Sequence, residues 1–241
     1  MAMQLTFDLP VRVSRGRGDF FVSAANALAV ARLDDTAGWT RGKLALTGPE
    51  GAGKSHLAHV WAEAEGAVVT DLDALPALDL AGIATPMAVE LPEADAFAPA
   101  TEEALFHLHN HMATAGLPLL LIARAAPARW PVALPDLKSR MQATDVVRIE
   151  EPDDALLTAV LVKLFADRQL QVPPGVIGWL ATRMERSFAQ TQRLVAALDE
   201  TALAERRGIT RTLAQQVLDK LYEEAQQVSF SRHNSTPNRQ S

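Results

Sequence analysis

Apolar residues along the first part of the chain gather in short unbroken runs, and in the last part they recur at helical spacing. Lys43–Thr47, Ala67–Thr70, Met87–Val89, Leu119–Ala123 and Asp145–Ile149 read as strands. Leu119–Ala123, which follows a Gly-Leu-Pro turn, is the clearest of them. Helical spacing predicts helices over 24–33, 55–65 and 102–115, with Asp34–Gly42 as a loop. Thr101 is placed to cap the third helix, and Glu102 and Glu103 suit the positive end of its dipole. Residues 71–85 follow no clear period. Strands alternating with helices imply an α/β fold with a parallel sheet and helices on both faces.

The pattern changes at Glu150–Asp154, beyond which only helices are predicted: 154–168, 174–184, 188–206 and 212–226. Pro173-Pro174 opens the second of these and Gly208 separates the last two. Ser187 with Gln190, and Thr212 with Gln215, have the spacing of capping boxes. These helices form a small all-helical domain. The expected organisation is a leader over 1–18, an α/β domain over 19–150, a helical domain over 151–226 and a polar, disordered tail over 227–241.

The 241 residues, 48% hydrophobic and 22% charged, suffice for one ordinary domain and a smaller one. The absence of cysteine excludes disulfides, thiolate nucleophiles and cysteine-held zinc or iron–sulfur centres. No apolar run approaches the roughly 20 residues of a membrane span. Met1–Pro10 lacks a basic start and is interrupted by Asp8, unlike a signal peptide, so a cytoplasmic protein is expected. A net charge of −6 argues against autonomous DNA binding, which phosphate neutralisation by basic residues would favour.

Gly48-Pro49-Glu50-Gly51-Ala52-Gly53-Lys54-Ser55 fits G-x-x-x-x-G-K-[ST] in full, between a predicted strand and a predicted helix. Glycines let backbone N–H groups curl round phosphate oxygens. Lys54 can reach the β- and γ-phosphates, the Ser55 hydroxyl can hold Mg²⁺, and the helix dipole favours the anion. The predicted cofactor is ADP or ATP with Mg²⁺. A second acid is expected at the end of a buried strand. In Met87-Ala88-Val89-Glu90-Leu91-Pro92-Glu93, Glu90 can serve the metal, Leu91 cannot act as a base, and Glu93 lies past a proline turn. Intrinsic hydrolysis is therefore expected to be slow or absent. His107, His109 and His111 spread around a predicted helix and share no metal. Trp39, Trp61, Trp130 and Trp179 read as packing residues, and Asp71 and Asp73 as a loop or strand end.

The phosphate loop followed by His56-Leu57, the helical C-terminal region, the stretch from Asp19 to Ala29, and Leu134-Pro135-Asp136-Leu137-Lys138-Ser139-Arg140 together resemble the DnaA/Hda family of AAA+ proteins. The resemblance covers roughly residues 19–225. It implies that His56 belongs to the nucleotide site and that Arg140 is an arginine finger, donated in trans to ATP on a partner. Two observations favour the regulator branch over the initiator branch. There is no room after the helical region for a helix-turn-helix DNA-binding domain, so no direct sequence-specific DNA binding is expected. Gln4-Leu5-Thr6-Phe7-Asp8-Leu9-Pro10 is similar to peptides that dock on the bacterial sliding clamp, the DNA polymerase III β subunit. Gln4 can hydrogen-bond at a pocket rim while Leu5, Phe7 and Leu9 fill an apolar groove. The implied function is negative regulation of replication: docking on the DNA-loaded clamp and promoting hydrolysis of ATP on the initiator DnaA.

Three positions depart from the family pattern. Leu91 replaces the catalytic carboxylate, Ala125 stands where a polar sensor should, and the lid sensor falls at Gln192. Arg193 is adjacent, but one residue turns a helix by about 100°. These departures suggest a nucleotide kept as a structural ligand. A self-sufficient ATPase, such as a loader or remodelling factor, and a truncated origin-binding protein are the alternatives. Oligomeric state, including a homo-oligomer, stays open.

Overall fold

The computed structural model describes residues 22–233, which divide into one compact unit ending at Asp153 and a second beginning at Asp154. The clamp-like peptide with Gln4, Leu5, Phe7 and Leu9, and the tail from residue 234, lie outside the described residues.

The first unit is built on five parallel strands: β1 (Lys43–Thr47), β2 (Val68–Asp71), β3 (Met87–Glu90), β4 (Leu119–Ala123) and β5 (Asp145–Arg148), in the order β2-β3-β4-β1-β5. The central strands β1 and β4 are buried at every position, and for that reason Leu44–Leu46 and Leu119–Ala123 are unbroken apolar runs. Alternate residues feed two cores. Ala45, Leu119 and Leu121 pack under α3 (Pro99–Ala115) and α4 (Pro135–Gln142) through Leu105, Leu108, Leu137 and Met141. Leu44, Leu46 and Leu120 pack under α1 (Ala27–Asp34) and α2 (Lys54–Glu65) through Ala29, Leu57 and Trp61. Trp39 and Trp61 stack at 5.3 Å in that second core, and Trp130 is buried in the first.

Three details differ from the sequence reading. The helix α3 starts at Pro99, so Thr101 is buried inside it and caps nothing; a proline in the first turn needs no N–H partner. The helix α4 was not predicted, because its eight residues bury only Leu137 and Met141, too few to show a period. Residues 72–77 and 80–82 form short 3-10 turns that send Leu72 and Leu75 into the core.

The second unit holds α5 (Asp154–Asp167), α6 (Pro174–Ala181), α7 (Phe188–Glu205) and α8 (Arg211–His233). Leu161, Phe165, Leu180, Leu194, Leu198 and Leu213 form its core. Ser187 caps α7, accepting from the Gln190 N–H at 3.4 Å. The predicted Thr212–Gln215 box at α8 is corrected. The cap is Thr210, whose hydroxyl accepts from the Leu213 N–H at 3.3 Å, while Gln215 turns to Asp219 at 2.7 Å. The last helix also runs to His233, so residues 227–233 are helix and not tail; the helix-favouring run Glu223-Glu224-Ala225-Gln226-Gln227 leads into them. Among the described residues no helix is long and apolar enough to cross a membrane.

Candidate nucleotide-binding site

The loop from Gly48 to Gly53 connects the C-terminal end of β1 to the first turn of α2. Gly51 and Gly53 take φ of 70° and 89°, left-handed values that glycine adopts freely. The helix begins at Lys54, with Ser55 and His56 exposed in its first turn. Ala52 N–H closes the loop on the Pro49 carbonyl at 3.3 Å, and Glu50 is exposed at its tip. Lys54 Nζ donates to the Pro49 carbonyl at 2.7 Å, folded over the loop. Burial, followed by the Arg124 guanidinium, lowers the Lys54 pKa, against which Glu50, Glu90 and Glu93 pull. The loop thus offers backbone N–H groups at a helix start, the Lys54 ammonium and the Ser55 hydroxyl, which fit a polyphosphate.

Gly48 carries a different burden. At φ 153° an added Cβ would stand 2.4 Å from the Ile149 carbonyl oxygen. Gly48→Ala is expected to lower the unfolding free energy by about 2 kcal/mol. Gly66→Ala, at φ 65° with nothing within 4 Å, is the comparison, with an expected loss of about 1 kcal/mol. Urea unfolding of the two variants reads the difference; equal losses would mean that backbone strain, not the Ile149 contact, constrains Gly48.

Glu90 is the last residue of β3, half-buried, and lies near enough to Lys54 to act on its charge. Leu91 continues the ladder, its N–H donating to the Ile122 carbonyl at 2.8 Å, and its side chain is buried. A leucine at that place supplies no carboxylate. Ala125, after β4, uses its carbonyl to accept from Trp130 Nε1 at 2.8 Å. Arg124, which the sequence reading passed over, is a feature of this end of the sheet. It pairs with Glu93 at 2.9 Å, its carbonyl accepts the Gly48 N–H at 3.3 Å, and its charge reaches Lys54. The available signal was its place, a cation directly after the buried strand beside β1.

Arg140 lies elsewhere. It sits in the last turn of α4, exposed, with its guanidinium 5.2 Å from the centre of the Phe106 ring. Its carbonyl accepts from the Thr144 hydroxyl at 3.1 Å, just before β5, and Asp145 of β5 is in register with Leu44 of β1. Arg140 is therefore at the N-terminal end of the strands, while Lys54 is at the C-terminal end. At roughly 3.3 Å per residue, the length of β1 separates the two ends by about 13 Å. Glu102, on α3, is buried and accepts from the Ala133 and Leu134 N–H groups at 2.8 and 2.7 Å, fixing the segment that leads into α4. The expected dipole role of Glu102 is thus overtaken by a tertiary one. Gln192 and Arg193 are both exposed on α7 of the second unit. Among the described residues no three His, Asp or Glu side chains gather as metal ligands; His111 bonds the Ile83 carbonyl at 2.7 Å.

Comparison with known proteins adds the following. A family model described as Hda, lid domain, matches residues 154–218. An uncharacterized protein of Haemophilus influenzae is 29% identical over 119 residues, 49% of this chain and 52% of that protein. The chromosomal replication initiator protein DnaA of Rippkaea orientalis is 27% identical over 114 residues, 47% of this chain and 24% of that protein. This chain thus matches about half the length, or less, of these curated relatives. Domain III of the Thermotoga maritima replication initiation protein DnaA has a similar fold, with a TM-score of 0.68 at 15% identity, over 83% of this chain and 94% of that one.

Proposed function

We propose, from the premise that this chain belongs to the DnaA/Hda family of AAA+ proteins, that it is a nucleotide-binding regulator of chromosomal replication initiation that promotes hydrolysis of ATP held by the initiator DnaA. The observation that carries this reading is the separation of Arg140 from the chain's own phosphate loop. An exposed arginine at the end of the sheet opposite that loop is placed to serve a phosphate on another molecule. A guanidinium against a γ-phosphate stabilises the charge that develops as the phosphoryl group leaves.

The chain's own nucleotide, ADP or ATP, is a structural ligand. Lys54 and the loop N–H groups hold its phosphates, Ser55 and Glu90 hold Mg²⁺, and Gln192 is the lid sensor. Buried Leu91 supports this, because no carboxylate orients a water there. It also counts against a self-sufficient ATPase. Gln4, Leu5, Phe7 and Leu9 dock on the sliding clamp, which raises the local concentration of Arg140 near initiators on DNA.

The test is hydrolysis of initiator-bound ATP with purified initiator, clamp loaded on DNA, and this protein. Wild type is expected to stimulate. Gln4→Ala is expected to lose stimulation at low protein concentration and to recover it at high concentration, because docking alone is impaired. Absence of stimulation by folded, nucleotide-bound wild type removes the regulator reading and leaves the nucleotide-binding fold.

A further inference from the structure

Lys43 opens β1 and is 4% exposed. Lysines so deeply buried are almost always paired with a carboxylate. Among the described residues Lys43 has none, and its ammonium donates to the carbonyl of Arg41 at 3.4 Å. Arg41 holds that carbonyl in a left-handed conformation, φ 57° and ψ 26°, which residues bearing a Cβ rarely adopt. Arg41 and Arg140 are exposed, and neither forms an ion pair among the described residues. The β1–β5 register and the Thr144–Arg140 bond bring Arg140 to the end of the sheet where Lys43 stands. One turn along α3 from Phe106, the ring that carries Arg140, His109 is 7% exposed with Nδ1 unpartnered. Burial first, and the nearby Lys43 and Arg140, hold its pKa down at about 4, so at neutral pH it adds no charge. Burial, followed by Arg140 and Arg41, also lowers the Lys43 pKa. Cations gathered without a counter-ion, in a backbone turn that L residues avoid, are what an anion site looks like before its anion arrives.

We propose that Arg41, Lys43 and Arg140 form an oxyanion site, with the two arginines at its rim and Lys43 at its floor, which receives the terminal phosphates of a nucleoside triphosphate carried by a partner protein. Naming the partner rests on the function proposed above; the oxyanion site itself does not. Arg41 and Lys43 are its new members. A carboxylate of the partner is the other source of the same chemistry.

Two measurements test the site. In the first, inorganic triphosphate is titrated calorimetrically into the Lys54→Ala chain, whose own phosphate loop is disabled. Saturable binding is expected, weakened about tenfold by Lys43→Met, the size of one lost charge-assisted hydrogen bond. The second compares affinity for the initiator loaded with ATP and with ADP. Lys43→Met is expected to weaken the ATP complex about tenfold and to spare the ADP complex. Equal weakening of both supports the oxyanion site and assigns it to a partner carboxylate. Because Lys43→Met removes an unpaired buried charge, its melting temperature should match or exceed wild type. Arg41→Gly, which relieves the left-handed backbone, is the second variant and should show the same losses. If both variants melt like wild type and bind triphosphate and both initiator forms unchanged, the proposal fails. If the Lys54→Ala chain binds triphosphate, weakened by Lys43→Met, but wild type does not bind the initiator, the regulator reading fails and the oxyanion site stands.

Discussion

On the function proposed above, Arg140→Ala is expected to slow the stimulated hydrolysis of initiator-bound ATP by roughly a thousandfold, the lower range for an arginine finger, and to leave the chain's own nucleotide affinity unchanged. The asymmetry follows from position. Arg140 is at the N-terminal end of the sheet and the phosphate loop at the other, so truncating one side chain does not reach the other site. The fold also has little to lose. The guanidinium is exposed and its recorded partner is the Phe106 ring, a cation–π contact worth about 0.5–1 kcal/mol. Arg140→Lys is expected to recover only a small part of the rate, because a lysine is a point charge without the planar fork that stacks on Phe106 and spans two phosphate oxygens. Single-turnover hydrolysis with this protein saturating is the measurement, since saturation removes docking from the rate. A loss below tenfold would place the stimulating cation elsewhere.

The parts legible in the sequence are those set by local rules. The strands β1 and β4 are buried on both faces, so their apolar runs announce them. The phosphate loop is legible because its chemistry demands glycines, a lysine and a hydroxyl at fixed spacing. Helix ends were legible only where the cap sits beside a clear apolar stripe. Ser187 does, whereas at α8 the choice between Thr210 and Thr212 depends on which hydroxyl meets an N–H, and pattern alone picks wrongly. Leu91 could be read as a missing base from its place after Glu90, and its burial supplies the physical side of that reading. What stayed hidden is tertiary. Arg124 is a loop residue in the sequence, and only the β1–β4 pairing brings its charge to Lys54. Lys43 looks like an exposed strand start until β4 and β5 close around it. Glu102 fits a helix dipole, and nothing local says that its partners are more than thirty residues away.

That last residue sets the second large effect. Glu102 is 5% exposed, and both its carboxylate oxygens accept backbone N–H groups from Ala133 and Leu134. Those N–H groups belong to the two residues before Pro135, which opens α4 and has no N–H of its own. Glu102→Ala therefore removes the acceptor of two backbone donors just before α4 and is expected to lower stability by about 2–3 kcal/mol, from two part-buried charge-assisted bonds, since Ala133 and Leu134 are exposed and water can meet the freed N–H groups. Glu102→Gln keeps one acceptor but turns an amide N–H₂ toward a backbone N–H, so about half of that loss remains. The same change reaches function, because α4 carries Arg140 and Phe106 on α3 holds its guanidinium. A shift of the helix by about 1 Å can slow a positioned reaction by about a hundredfold. Urea unfolding reads the first effect. Single-turnover stimulation, at a temperature where the variant is still folded, reads the second. A Glu102→Ala protein that loses stability yet stimulates at the wild-type rate would mean that α4 holds Arg140 in place without its anchor, and that Phe106 alone aims the guanidinium.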